Sequence, residues 1–355
     1  MTIKKLVLVG ASPAHLHVLA AFKAAQRADT DVYLVSAFNH VIHTPMLAGW
    51  VAGLYSAEQC TVNLGTLLVG SHVKHIVANS FQLDCANRQI LLDTGNVLPY
   101  DVISLDSRPA VDREALNMMI PGAVERAVFT QPSEAFGKLW PQILQHVGKQ
   151  ALRISVIGAG SAGVELALAL QHRLPACRVT LIVGPSMPAA SHTLGVQKTV
   201  MVHLKRHNIT LLHDSCIAIG AQSIELASGA SLVCDIPFLA TDGQAPRWAA
   251  ESGLNLDQHG YPQVNLFGQS TSHTAVFANT EIGNSAAGQA LGTNLRLALD
   301  NLAPKVVPKT SSALNLISCG QRTAIASWGT MCFQGNFAWR LKDVIDRRWI
   351  RPYQI

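Results

Sequence analysis

The strongest constraint on this chain is a plan written twice. "KLVLVGASPAHLHVLAAF" (5–22) and "RISVIGAGSAGVELALAL" (153–170) each read as an apolar strand, a turn of small residues and an apolar helix. A second shared element follows in each half. "ILLDTGNVLPYDVISLDS" (90–107) and "IELASGASLVCDIPFLATDG" (224–243) both show a strand, a Thr/Ser-Gly turn, a second strand and an apolar run after an aspartate. Asp101 and Asp235 hold equivalent places. Each segment is the pattern of a small hairpin attached to a doubly wound parallel sheet. Two matches in the same order predict an α/β chain: two Rossmann-like dinucleotide-binding domains with small antiparallel β-hairpin layers, plus a C-terminal segment.

The two turns differ in completeness. The second, Gly158-Ala159-Gly160-Ser161-Ala162-Gly163, follows a strand over Ile154–Ile157 and has all three glycines. The first permits the tight turn, the second lets a pyrophosphate approach the backbone, and the third lets helix pack on strand. A helix N-terminus then offers free N–H groups and a positive dipole end to phosphate. The first turn, "VLVGASPAH" (7–15), keeps Gly10 but has Ser12 and His15 in the other glycine places. Ser12 brings a Cβ and a hydroxyl, which either clash with a phosphate or hydrogen-bond to it. Pro13 is tolerated at the start of a helix but removes one N–H donor. The acid expected about 20 residues after such a turn, for a ribose hydroxyl, is missing. "RVTLIVG" (178–184) ends in Val183-Gly184 with no arginine either, so NADH and NADPH are not distinguished.

Composition narrows the class. The chain has 355 residues, enough for two or three domains; 49% are apolar and 14% charged, which excludes a disordered chain. No uncharged apolar run reaches the roughly 18–20 residues of a spanning helix. Lys4-Lys5 and the run behind them imitate a leader peptide, but Gly10, Ser12 and Pro13 interrupt it where a strand–helix turn needs them. The net charge of +5 permits contact with a membrane surface, and no basic face interleaved with aromatics points to nucleic acid. The seven cysteines have no C-x-x-C or metal-ligand spacing and read as reduced thiols of a cytoplasmic protein. The histidines 15, 17, 40, 43, 72 and 75 lack the companions of a metal site.

Four motifs carry a resemblance: "MLAGWVAGLYS" (46–56), "YDVISLDS" (100–107), "GAGSAGVELALAL" (158–170) and, most specific, the tail "WRLKDVIDRRWIRPYQ" (339–354). Over nearly its whole length the chain resembles the pyridine nucleotide–disulfide oxidoreductase flavoproteins. It is most similar to the branch akin to type II NADH dehydrogenases, which also occurs fused to selenophosphate synthetase. The resemblance implies an FAD domain from 1–125 and 262–305, an NAD(P)H domain over 126–261, and a C-terminal segment, 306–355, with an amphipathic helix. It implies hydride transfer from NAD(P)H to FAD and electron release to a quinone or other small acceptor. The flavin carries the chemistry in such enzymes, so no catalytic side chain is required. Gly10, Ser12, Pro13, Ala14, His15, Ser36, Pro45, Met46, Asp106 and Glu281 fall at FAD positions. Gly158, Gly160, Ser161, Gly163 and Glu165 fall at NAD(P)H positions. Glu165 equally suits a helix-start acid favouring the dipole, and "HTPML" around Pro45 and Met46 equally suits a loop leading into a packed helix.

The flavin-facing motifs depart from the family together. Besides Ser12 and Pro13, "VFANTEIG" (276–283) has Thr280 and Glu281 where the family has Gly-Asp. "NSAAGQALGTNL" (284–295) is shorter than its counterparts, and "ATDG" (240–243) stands for Ala-Thr-Gly. Two readings follow: a flavoenzyme with an altered ring pocket, or a degenerate relative with weak or absent FAD that binds nucleotide or a partner. In the tail, Phe337, Leu341, Val344, Ile345 and Trp349 form one helical stripe, and Arg340, Lys342, Arg347, Arg348 and Arg351 outnumber Asp343 and Asp346. Such a helix either packs its stripe on its own domain or lies on anionic lipid, stripe down, at the inner face of the membrane.

Overall fold

The computed structural model describes residues 3–78, 81–241, 243–279, 285–308 and 314–354. Two five-stranded parallel sheets organise it. The first runs Val276–Asn279, Val102–Asp106, Lys4–Val9, Thr30–Ser36, Val73–Val77. The second runs Val128–Phe129, Ile236–Leu239, Arg153–Ile157, Arg178–Ile182, Thr210–Leu212. The order is the same in both: the strand after the hairpin layer lies beside the half's first strand. Strands covered on both faces need unbroken apolar runs, and Leu6, Val7, Leu8, Ile154 and Val156 are almost fully buried.

The expected hairpin layers are three-stranded and antiparallel: Phe81–Asp84, Gln89–Leu92 and Val97–Pro99 in one half, Cys216–Ile219, Ser223–Leu226 and Ser231–Val233 in the other. The paired aspartates do the same work in each. Asp101 accepts the Lys5 backbone N–H at 2.7 Å, and its own N–H donates to the Lys5 carbonyl. Asp235 accepts the Arg153 N–H at 2.8 Å and returns its N–H to the Arg153 carbonyl. The Arg153 guanidinium adds a two-point contact to the same carboxylate. Each aspartate thus ties the hairpin layer to the amino end of the half's first strand.

The halves pack through a shared core. Ala48, Val51 and Ala52, in and just after the short Leu47–Val51 helix of the first half, join Leu166, Ala167 and Leu170 of the Ser161–Arg173 helix. A three-stranded antiparallel sheet (Asn315–Ser318, Ala324–Trp328, Met331–Gly335) follows and leads into the helix Asn336–Ile350. That helix corrects the packed-stripe reading. Its buried face is Ala338, Lys342, Asp346 and Ile350, whereas Phe337, Val344 and Ile345 are 73%, 61% and 41% exposed. Trp349 alone of the stripe reaches the core, stacking on His43 at 4.1 Å.

Replacing Asp235 with alanine removes a carboxylate bonded to both backbone and guanidinium, at an expected cost of about 1–2 kcal/mol. Arg153 holds the Asp235 pKa below its usual value. A depressed acid stabilises the native state above its unfolded pKa and loses that contribution as pH falls through the folded value. Urea denaturation of Asp235→Ala at neutral and acidic pH should therefore show a deficit that shrinks on acidification.

Candidate functional site

Both small-residue turns lie at the carboxyl ends of parallel strands, each beside the strand that follows its hairpin layer. Ligands of such sheets bind in the crevice at that end, where the strand order reverses. The second turn is built as its sequence requires. A Cβ on Gly158 would stand 2.2 Å from the Ala240 carbonyl oxygen, and one on Gly163 2.2 Å from that of Gly158. Neither contact is survivable. Gly160 is the N-cap of the Ser161–Arg173 helix and supplies no side-chain cap. The donors of this helix start are left for a phosphate.

The first turn is different. Gly10 has φ +86°, and a Cβ there would lie 2.5 Å from the Asp106 Cβ. Ser12 is the buried N-cap of the Pro13–Ala24 helix, and its Oγ accepts the His15 N–H at 3.1 Å. Pro13 has no N–H, so Ala14 keeps the one first-turn donor not engaged by Ser12. Ala14 and His15 are buried; the imidazole bonds the Gly10 carbonyl through Nδ1 and Ser104 Oγ through Nε2 at 2.8 Å. Burial pushes the His15 pKa down, against the opposing pull of the Gly10 carbonyl and Asp106. The residues retain the glycine turn and strand–helix geometry that a dinucleotide such as FAD requires, with fewer free helix donors than the second turn has. Both turns fit a dinucleotide phosphate, unequally.

Other predicted FAD positions are used internally. Ser36 is buried, its hydroxyl donating to the Phe38 carbonyl at 2.8 Å and meeting His75 Nε2 at 2.9 Å. Met46 is fully buried in the first-half core, and the short Thr44–Met46 turn runs straight into the Leu47–Val51 helix, the local structure that the loop-into-helix reading of "HTPML" describes. Asp106 pairs with Arg108, Nε to Oδ1 at 2.8 Å and Nη2 to Oδ2 at 2.7 Å, a partner that the sequence reading passed over. Thr280, Glu281 and Asp242 lie outside the described residues.

Pro45 leads to a buried polar network. Its carbonyl accepts from Lys342 Nζ, which also donates to Asp346, and both of these side chains are about 5% exposed. His43 Nε2 lies 3.4 Å from the other Asp346 oxygen. Burial alone raises the Asp346 pKa, but His43 and Lys342 outweigh it and hold the carboxyl below its usual value. Glu165 sits beyond the first turn of its helix, which corrects the helix-dipole reading. Its carboxylate accepts the Ser318 N–H at 2.7 Å. Desolvation raises its pKa although Lys342 and Ser318 pull the other way. The network was foreshadowed only by the tail motif, whose Lys342 and Asp346 stand four apart.

The comparisons agree with this architecture. The NADH dehydrogenase-like protein Rv1812c of Mycobacterium tuberculosis is 25% identical over 300 residues, spanning 78% of this chain and 72% of its own. The sulfide:quinone oxidoreductase of Aquifex aeolicus superposes with a TM-score of 0.77 at 16% identity, covering 99% of this chain and 91% of that one. NDH2 of Plasmodium falciparum, solved with NADH, gives 0.76 at 13% identity over 99% and 97% of the two chains. The family model for pyridine nucleotide-disulphide oxidoreductases matches residues 4–290. The chain therefore belongs to the pyridine nucleotide-disulphide oxidoreductase family, flavoprotein oxidoreductases that work with FAD and NAD(P)H.

Proposed function

We propose that this protein takes hydride from NAD(P)H and passes the electrons through FAD to a quinone or another small acceptor. The observation that carries this reading is the uncapped second turn, on a helix packed directly against the half that bears the first. Bound FAD supplies the hydride-accepting and electron-releasing chemistry. The chain's own residues bind and orient. The start of the Ser161–Arg173 helix receives the NAD(P)H pyrophosphate on its free N–H groups. Glu165, further along that helix, holds a proton at its carboxyl in a pH range where an exposed glutamate is ionised. Lys342 fixes the Pro45 carbonyl and with it the turn before Met46.

The acceptor reading leans on the tail. Phe337, Val344 and Ile345 face outward among exposed Arg340, Arg347, Arg348 and Arg351. Exposed Trp328, Met331 and Phe333 of the adjoining hairpin extend the apolar area, the rings of Phe333 and Phe337 lying 6.3 Å apart. An apolar face with a basic surround suits an anionic lipid surface, where a quinone would be met. No helix among the described residues is long and apolar enough to cross a membrane, so the contact we propose is peripheral, at the cytoplasmic face. One observation favours a second reading, a nucleotide-binding or interaction protein with weak or absent FAD: the Ser12 cap and Pro13 leave the first turn few donors.

Protein purified without added flavin should show flavin absorption bands that bleach on addition of NADH; a protein colourless even after FAD reconstitution establishes the second reading. The native state keeps a proton on Glu165 that the unfolded chain gives up above its ordinary value of 4.5. Stability is thus lost as pH rises through that window. Glu165→Gln should melt above wild type near neutral pH, with the difference vanishing toward pH 4.5. Sedimentation with phosphatidylserine-containing vesicles, but not with phosphatidylcholine alone, should carry the protein down. Arg348→Glu with Arg351→Glu should weaken that binding about tenfold or more.

A further inference from the structure

Asp106 poses a problem for the first turn as an anion site. Its Cβ lies against Gly10, and its Oδ2 is 3.0 Å from where a Gly10 Cβ would be. A carboxylate so placed repels the pyrophosphate that the turn is shaped to receive. The turn is also short of donors, because Ser12 occupies the His15 N–H and Pro13 has none, which leaves that of Ala14. Something must supply positive charge at this end of the sheet.

Arg108 stands there. It follows the Val102–Asp106 strand, whose carboxyl end adjoins that of Lys4–Val9, so it projects from the crevice where the strand order reverses. Its backbone N–H also donates to Asp106 Oδ1 at 3.2 Å, which folds the side chain back over the carboxylate. The guanidinium is close enough to His15 for their charges to interact, and the Glu134 charge acts on it as well. With a side chain 28% exposed, it is neither locked in the core nor free in solvent. Two of its five N–H donors satisfy Asp106, and among the described residues no hydrogen bond engages Nη1, the edge that would meet a second anion.

We infer that Arg108 is the FAD-binding cation of this chain, bridging Asp106 and the FAD pyrophosphate in place of the helix N–H donors that Ser12 and Pro13 remove. The inference rests on the flavoenzyme reading. Arginine suits the role because its planar fork holds a carboxylate on one edge while another edge meets a phosphate.

The test measures FAD content of the full chain as purified, and its Kd for FAD by fluorescence across a salt series. Arg108→Ala should raise the Kd about tenfold or more, the loss of one charge-assisted hydrogen bond. It should also flatten the salt dependence, while NADH affinity, read from NADH fluorescence in flavin-free protein, stays at the wild-type value. Because removing one partner strands Asp106, Asp106→Asn with Arg108→Gln supplies a variant without an unpaired charge; it should change in the same directions but by less than Arg108→Ala, since the repelling carboxylate is gone too. A Kd within about twofold of wild type in both variants overturns the assignment, as does a weaker Kd with an unaltered salt slope. A wild-type chain that takes up no FAD overturns the flavoenzyme reading and the assignment with it. Normal uptake that ignores Arg108 overturns the assignment alone.

Discussion

A buried ammonium group sets the relations among the parts of this protein. Lys342 is 4% exposed, and an interior charge of this kind is tolerable only with hydrogen-bonded partners. It has two: Asp346, one turn on along its own helix, and the Pro45 carbonyl from the first dinucleotide half. The pairing fixes which side of the tail helix faces inward and anchors that helix to the turn before Met46. The same charge acts on Glu165 in the second half. One side chain therefore ties the tail to the first half and reaches the second electrostatically. Replacing it with an apolar residue would leave the buried Asp346 carboxylate with His43 alone, 3.4 Å away.

The large features were legible because their physics is local or periodic. Strands covered on both faces must be apolar throughout, and a strand–turn–helix unit needs small residues where backbone meets backbone. Asp101 and Asp235 could be matched because each repeats the same two backbone bonds at the same place. The tail resisted for the opposite reason. Its apolar periodicity groups Phe337, Val344 and Ile345 on one stripe and leaves open whether that stripe faces the domain or a lipid surface, and the bond that orients the helix joins Lys342 to a carbonyl 297 residues away. No window along the sequence contains both partners. Ser36 and Met46 show a second limit: a motif places a residue in a neighbourhood without saying where its side chain points. Arg108 was visible only as the arginine two places after Asp106, and its meaning depends on the approach of Asp106 to Gly10.

The two turns show how a common plan yields unlike anion sites. Both have a strand, a tight glycine turn and a buried helix. In the second, glycines at the contacts let helix and strand approach and leave the helix start without a side-chain cap. In the first, Ser12 turns its hydroxyl onto its own helix, and His15 fills the space beneath with an imidazole bonded to Gly10 and Ser104. The protein has replaced part of the exposed polarity of a phosphate site with internal bonds. This stabilises the turn and reduces what it offers a ligand.

The paired aspartates have a wider consequence. They work at the amino ends of the first strands, at the opposite edge of each sheet from the glycine turns. Each half thus keeps the device that holds its layers together apart from the surface that meets a ligand. Changes at one edge need not be matched at the other. Two halves of one scaffold, held together by the same clamp, can thus present unlike doorways on the same foundation.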